Sequence, residues 1–128
     1  MCSGDGSYRP VVSSPHFKSA AVAAVLAAIE VGRPPEKAAL RDAVRALLSE
    51  LSRSAPGRSV EVRIPPYGAV QCGAGPRHTR GTPPNVVETD PVTWVCLATG
   101  RLAWVDATAD GRVRVSGSRA DISGYLPV

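Results

Sequence analysis

The sequence predicts an α+β fold, in which helices pack against one face of a mostly antiparallel sheet. Two amphipathic helical patterns occupy the first part of the 128-residue chain, and short segments with alternating apolar residues follow. Helices grouped apart from strands are typical of α+β domains rather than of repeated βα units. The length suits one compact domain that buries about two-thirds of its unfolded surface.

The expected domain organisation is simple. Residues 1–13 are rich in glycine and serine and are predicted to be a flexible N-terminus. Residues 14–128 are predicted to form a single domain, in which residues 14–55 supply two helices. Ser14 can cap the first helix and Pro15 suits its first position, where a missing N–H does no harm.

Apolar residues recur at three- and four-residue steps in both predicted helices, which gives each helix one face for the core. In the first helix these residues are Val22, Val25, Leu26 and Ile29. The second helix is predicted from Pro35 to about Ser54, with an apolar face of Leu40, Val44, Leu47, Leu48 and Leu51.

Four segments are predicted to be strands, and a short helix is predicted at the C-terminus. Val60, Val62 and Ile64 alternate with polar residues, the pattern of a half-buried strand. The predicted strands are Arg58–Ile64, Tyr67–Cys72, Asn85–Thr89 and Arg112–Ser116, and the helix is Arg119–Tyr125, weakened by Gly124.

The block from Asn85 to Gly117 has the clearest local signals. Asp90 can cap a helix and Pro91 suits the first helical position. Gly100 and Gly111 can end helices, because a residue without Cβ enters the left-handed conformation at low cost. The sequence therefore predicts a strand, two short helices and a second strand in this block.

Both tryptophans of the chain lie in this block, within an apolar set of Trp94, Leu97, Leu102, Trp104 and Val105. These side chains predict either the apolar lining of a ligand cavity or ordinary core. Buried aromatic residues are more often core, so both interpretations stay open on the residues alone.

The strings DPVTW, LATGRL and GRVRVSG, in this order between Asp90 and Gly117, resemble the C-terminal part of the bacterial sterol carrier protein family, in its actinobacterial type. VEVRIPPYGAVQC and the segment that follows it also resemble that family, so the resemblance covers residues 58–128. It implies a twisted sheet of about five strands covered by helices, with an apolar tunnel between them. The fifth strand is expected in Gly73–Arg80.

The resemblance implies non-catalytic binding or carriage of an apolar or amphipathic small molecule, such as a lipid, a fatty acyl group or a sterol-like compound. The alternative is a protein-interaction or regulatory module whose cavity is filled by its own side chains. Under the first hypothesis, the apolar set that contains the two tryptophans lines the cavity.

A polar cluster precedes this block. Arg77, His78 and Arg80 could hold an anionic head group, because guanidinium groups bind carboxylates and phosphates in a bidentate manner. The competing interpretation is a solvated basic loop, which is a common surface feature.

Catalytic and metal-binding patterns are weak. His16 and His78 are the only histidines, no G-x-S-x-G motif occurs, and no histidine pair has helical metal-ligand spacing. The three cysteines form no C-x-x-C, so neither a zinc site nor a disulfide framework is predicted, and Cys72 and Cys96 are expected to be small buried hydrophobes. We expect no enzyme activity, cofactor or metal.

Charge and hydropathy limit the partners. The net charge is +4, from 15 basic and 11 acidic residues, without a run of five like charges. No nucleic acid is expected as a partner, because groove-reading helices and aromatic stacking motifs are not seen. The apolar stretch Ala20–Ile29 is shorter than the roughly 20 residues that span a bilayer, so no stable membrane insertion is expected. The cysteine pattern suits a cytoplasmic location.

Overall fold

The computed structural model describes residues 19–75 and 85–128. Within them it contains helices and strands of an α+β fold, which confirms the predicted class. The helices are α1 (Ala20–Glu30), α2 (Lys37–Ser54), α3 (Pro91–Ala98) and α4 (Trp104–Ala109). The strands are β1 (Val60–Ile64), β2 (Gly68–Cys72), β3 (Val86–Thr89) and β4 (Val113–Ser116), and a 3-10 helix spans Ser123–Tyr125.

The sheet has the strand order β2-β1-β3-β4. Its outer pairs, β1 with β2 and β3 with β4, are antiparallel, whereas the central pair, β1 with β3, is parallel. The sheet is thus mostly antiparallel, as predicted. The expected number of about five strands is corrected to four for the described part of the chain, where Gly73–Gly75 lies outside any strand and 76–80 is not described.

One face of the sheet forms the floor of the core. Val60, Val62 and Ile64 of β1 are buried, and α2 packs over this side. The intervening residues face the other side, where Arg63 Nη2 lies 3.0 Å from Glu61 Oε1. The alternation read from the sequence therefore separates a helix-covered face from a polar face.

The first two helices have the predicted apolar faces. Val22, Val25 and Ile29 of α1 are buried, and so are Val44, Leu47, Leu48 and Leu51 of α2. Leu26 and Leu40 are half-buried and pack against the core. Ser19 caps α1, since its Oγ accepts the Val22 N–H at 3.3 Å. The predicted cap at Ser14 and Pro15 lies outside the described residues, and α2 begins at Lys37 rather than Pro35.

The local signals around α3 are confirmed. Asp90 accepts a hydrogen bond from the Thr93 N–H at 3.0 Å, and Pro91 occupies the first turn. Gly100 ends the helix with φ +81°, in the left-handed region. The predicted helix Arg119–Tyr125 is wrong in extent, because only Ser123–Tyr125 is helical and Gly124 offers little support to a longer one.

Candidate ligand-binding groove

A groove of ≈ 650 Å³ lies between the end of α3, the helix α4 and the C-terminal segment. Most of its wall is apolar, and the apolar side chains are Leu97, Leu102, Ala103, Trp104, Val105, Leu126 and Pro127. The polar side chains on the wall are those of Thr108, Asp121 and Ser123.

The turn between α3 and α4 forms one wall of the groove. Gly100 reverses the chain, and the N–H groups of Arg101 and Leu102 both donate to Cys96 O, at 2.8 and 3.2 Å. This closure brings Leu102 and the start of α4 beside Leu97. A bulky residue would not take this turn cheaply, because the positive φ of Gly100 favours a residue without Cβ.

The C-terminal segment forms the opposite wall. The Val128 N–H donates to Ala98 O at 3.0 Å, and the Val128 side chain is buried. These contacts hold Leu126 and Pro127 against the turn, so that a Cβ on Gly100 would lie 3.5 Å from Pro127 Cγ. The groove therefore joins residues that are distant in sequence.

Four of the five residues predicted to line a cavity meet in this groove: Leu97, Leu102, Trp104 and Val105. Leu97 is only 2% exposed and lies at the base, whereas Val105 is 68% exposed and lies at the rim. Leu102 and Trp104 are half-buried between them. Contact of these residues with a ligand stays a prediction.

Trp94 is not in this groove. It is 1% exposed, and its indole N–H donates to Val44 O on α2 at 3.4 Å. Every residue from Thr93 to Ala98 is buried, so α3 has neighbours on all sides and Trp94 faces α2 rather than the groove. This placement matches the competing interpretation, in which Trp94 is core.

Among the described residues, Asp121 is the one charged side chain on the groove wall. Asp121 is exposed, and hydrogen bonds from Ser123, including its N–H at 2.8 Å, lower the pKa of the Asp121 carboxyl and keep it ionised. The Thr108 hydroxyl donates to Trp104 O at 3.0 Å. Arg77, His78 and Arg80, the predicted anionic head-group site, lie outside the described residues.

Sequence reasoning missed Thr108, Asp121, Ser123, Leu126 and Pro127 as wall residues. No local pattern marks the four C-terminal residues of this set, because they reach the groove through the pairing of Val128 with Ala98. Only Thr108 follows from periodicity, since it lies one helical turn after Val105 on α4.

The described residues contain no group of three or more histidine, cysteine or acidic side chains that could hold a metal ion. Cys72 is a free, buried thiol, and Cys96 is buried and disulfide-bonded, unlike the plain thiol expected from the sequence. Burial raises the pKa of the Cys72 thiol to about 11, so the thiol stays protonated at neutral pH and is not an activated nucleophile.

We expect Cys72 to resist alkylation by iodoacetamide at pH 8 in the folded protein. The reactive species is the thiolate, and both the raised pKa and the absence of exposed surface on Cys72 suppress it. Mass spectrometry of the Cys72 peptide, before and after unfolding in urea, measures this protection. Rapid labelling of the folded protein at pH 8 would show that the thiol is accessible.

Comparison with known proteins extends the resemblance seen in the sequence. Residues 36–128 match the family described as bacterial orthologs of the sterol carrier protein (SCP). The match begins at the start of α2 and includes the whole sheet and all groove residues. No curated protein matches the chain. Across the two described ranges, no helix has the length and apolar character needed to cross a membrane.

Proposed function

Because this chain belongs to the bacterial sterol carrier protein family, we propose that it binds and carries an apolar or amphipathic small molecule without changing it chemically. The observation that carries the proposal is the convergence of Leu97, Leu102, Trp104 and Val105 on one groove. These residues come from two helices and the turn between them, and the family resemblance implies them as a lining. Proteins of this family are generally non-catalytic carriers, which agrees with the proposal.

The size and chemistry of the groove suit such a ligand. Its ≈ 650 Å³ falls within the roughly 300–1,000 Å³ of small-molecule sites, which are mostly apolar with a few polar groups that orient the ligand. Binding would draw on apolar burial, at about 25 cal/mol per Å². The half-buried Trp104 ring and the exposed Val105 offer apolar surface that folding leaves uncovered.

The chemical class of the ligand's polar group is expected to depend on which protein side chains it meets. Beside Asp121 an alcohol or an amine is favoured, because an ionised carboxylate repels a fatty acid there. A carboxylate or phosphate would need a cationic partner, and Arg77, His78 and Arg80 stay candidates for that role. A sterol-like alcohol, a fatty acyl compound and a lipid amine are therefore distinct ligand classes for the test.

The test begins with native mass spectrometry of the purified protein and extraction of any bound lipid. Tryptophan fluorescence, to which Trp104 contributes on the groove wall, is then titrated with cholesterol and with dodecanol, dodecylamine and dodecanoic acid. The last three share a chain length and differ in the polar end. We expect binding of at least one of them, with the alcohol and the amine tighter than the acid. A ligand-free protein whose fluorescence ignores the whole panel would instead favour an interaction or regulatory module with a filled cavity.

Replacing Val105 by glutamine is expected to weaken binding about fivefold, because burial of a partly covered valine contributes about 1 kcal/mol. Val31→Gln is the matched control, since Val31 is also 68% exposed but lies at the end of α1, away from the groove. Isothermal titration calorimetry with the best ligand of the panel measures both variants. Equal affinities for the two variants would place the ligand elsewhere. Leu97 is unsuitable for this test, because its burial makes a polar substitution there a test of folding.

The groove says nothing about the cellular location of the protein or about its protein partners. A cytoplasmic location, expected from the cysteine pattern, stays a prediction that fractionation of expressing cells can test. A protein partner belongs to the alternative function, and binding of the lipid panel would remove the reason to invoke one.

A further inference from the structure

A second groove, of ≈ 550 Å³, lies where the C-terminal half of α2 passes over β2. The helix contributes Arg45, Leu48, Ser49, Ser52 and Arg53, and the other wall is formed by Tyr67 and the first residues of β2. None of these elements contributes to the groove at α3 and α4. The second groove is thus a separate surface feature with its own chemistry.

The floor of this second groove is apolar. Leu48 is buried and Val70 is half-buried, and both lie on the core side of the sheet. Gly68, beside them, has no side chain to fill the space, and a Cβ there would stand 3.5 Å from Leu48 Cδ1. A short apolar group can therefore rest on the side chains of Leu48 and Val70, where Gly68 leaves them uncovered.

Arg45 holds a guanidinium group in place at one end of the groove. Its Nε donates to Tyr67 O at 3.0 Å, across the gap between the helix and the turn that precedes β2. This bond uses one of five N–H donors, and the two terminal nitrogens keep the fork geometry that matches carboxylates and phosphates. A side chain that is already anchored loses less conformational entropy when it binds a ligand.

The other polar groups on the wall reinforce a preference for anions. Ser49 and Ser52 supply hydroxyl donors one turn apart on α2, between the two arginines. Arg53 is paired with Glu50 at 2.9 Å, but Glu50 is not part of the wall, and none of the lining residues is acidic. The wall therefore offers positive charge and hydrogen-bond donors above an apolar floor.

We propose that the groove between α2 and β2 binds the carboxylate or phosphate monoester of a small amphiphile, whose short apolar part packs on Leu48 and Val70. The acidic group is held by Arg45, with Ser49 and Ser52 as further donors. This site is independent of the groove formed by α3, α4 and the C-terminal segment (the carrier groove), because its residues and its charge differ from those around Asp121. The recognised chemistry is an anionic head group, which a lipid or a free phosphate compound could supply.

The test uses the full chain labelled with nitrogen-15, titrated in three arms with octyl phosphate, inorganic phosphate and octanol, below the micelle concentration. We expect octyl phosphate to shift the amide signals of Ser49, Ser52 and Ala69 and to bind about tenfold tighter than either other probe, because only octyl phosphate uses both the charge and the apolar floor. Equal binding of inorganic phosphate would overturn the amphiphile and leave a free anion site. Equal binding of octanol would overturn the role of charge, and unshifted amides in all three arms would overturn the site.

A pair of charge variants tests the arginine. Arg45→Gln is expected to weaken octyl phosphate binding about tenfold, the loss typical of one charge-assisted contact. Arg41→Gln is the matched control, because Arg41 lies one turn earlier on the same helix, is paired with Asp42 at 3.1 Å and does not line the groove. Equal weakening by the two variants would indicate only general attraction to a basic helix and would overturn the proposed site.

A steric variant gives a second test that leaves all charges unchanged. Gly68→Ala places a methyl group over the floor beside Leu48, and the 3.5 Å between a Cβ at this position and Leu48 Cδ1 is an ordinary van der Waals contact, so we expect the fold to tolerate it. Loss of octyl phosphate binding with a native-like amide spectrum supports the groove. Undiminished binding by this variant would overturn it.

Discussion

Trp94→Ala is expected to lower the free energy of unfolding by about 3–5 kcal/mol, the usual cost of removing a buried aromatic side chain. Trp94 is 1% exposed and lies between α3 and α2, so the truncation leaves a cavity at the contact of these helices. It also removes the indole donor to Val44 O. A domain is typically stable by about 5–15 kcal/mol, so this loss would remove a large share of the free energy of unfolding. Urea denaturation followed by circular dichroism measures the change.

Trp104→Ala is the control for this prediction. Trp104 is half-buried on the wall of the carrier groove, so its loss should cost less stability than the loss of Trp94 and more ligand affinity. The sequence gives no reason to treat the two tryptophans differently, and this pair of variants distinguishes the core role of Trp94 from the groove role of Trp104. A Trp94→Ala protein with wild-type stability would show that this part of the core is loosely packed.

Asn85→Ala is expected to destabilise the fold by about 2–4 kcal/mol, because a buried carbonyl and a partly buried N–H would lose their partners. Asn85 is 5% exposed; its Nδ2 donates to Ser59 O at 2.9 Å, and its Oδ1 accepts the Arg119 N–H at 2.9 Å. One side chain thus links the start of β1, the start of β3 and the segment after β4. Thermal and urea unfolding measure the loss.

Thr89→Val is the comparison for Asn85→Ala, since Asn85 directly precedes β3 and Thr89 ends it. The Thr89 hydroxyl donates one hydrogen bond, to Arg112 O at 2.6 Å, and valine keeps the shape of the threonine side chain. We expect a cost of about 1 kcal/mol, the net worth of one such bond. Equal effects of the two substitutions would contradict the linking role of Asn85.

Features that depend on neighbours in sequence could be predicted. Asp90, Pro91 and Gly100 act on the backbone within one turn, and all three are found in their expected roles. The apolar faces of α1 and α2 follow from periodicity in the same way. The family could also be recognised from the sequence. The family match covers residues 36–128, so it begins earlier in the chain than the resemblance, which covered residues 58–128.

Features that depend on distant pairing could not be predicted. The parallel pairing of β1 with β3 leaves no local mark, and neither does the role of Asn85, a short polar residue at a strand start. The helix α3 is apolar on every side, so periodicity could not distinguish Trp94, which faces α2, from Leu97, which reaches the groove. The bond from Arg45 to Tyr67 O is likewise invisible in sequence.

The parallel pair at the centre of the sheet also bears on how the chain folds. The β1–β2 hairpin can form from adjacent residues, but Glu61 meets Val86 only after the intervening chain has closed into a loop. Closing that loop costs conformational entropy before the contacts between β1 and β3 form and compensate for it, and such non-local pairing slows folding. The rate-limiting event is therefore expected to be the docking of two locally assembled halves, so that substitutions in β1 and β3 slow refolding more than equally destabilising ones in β4.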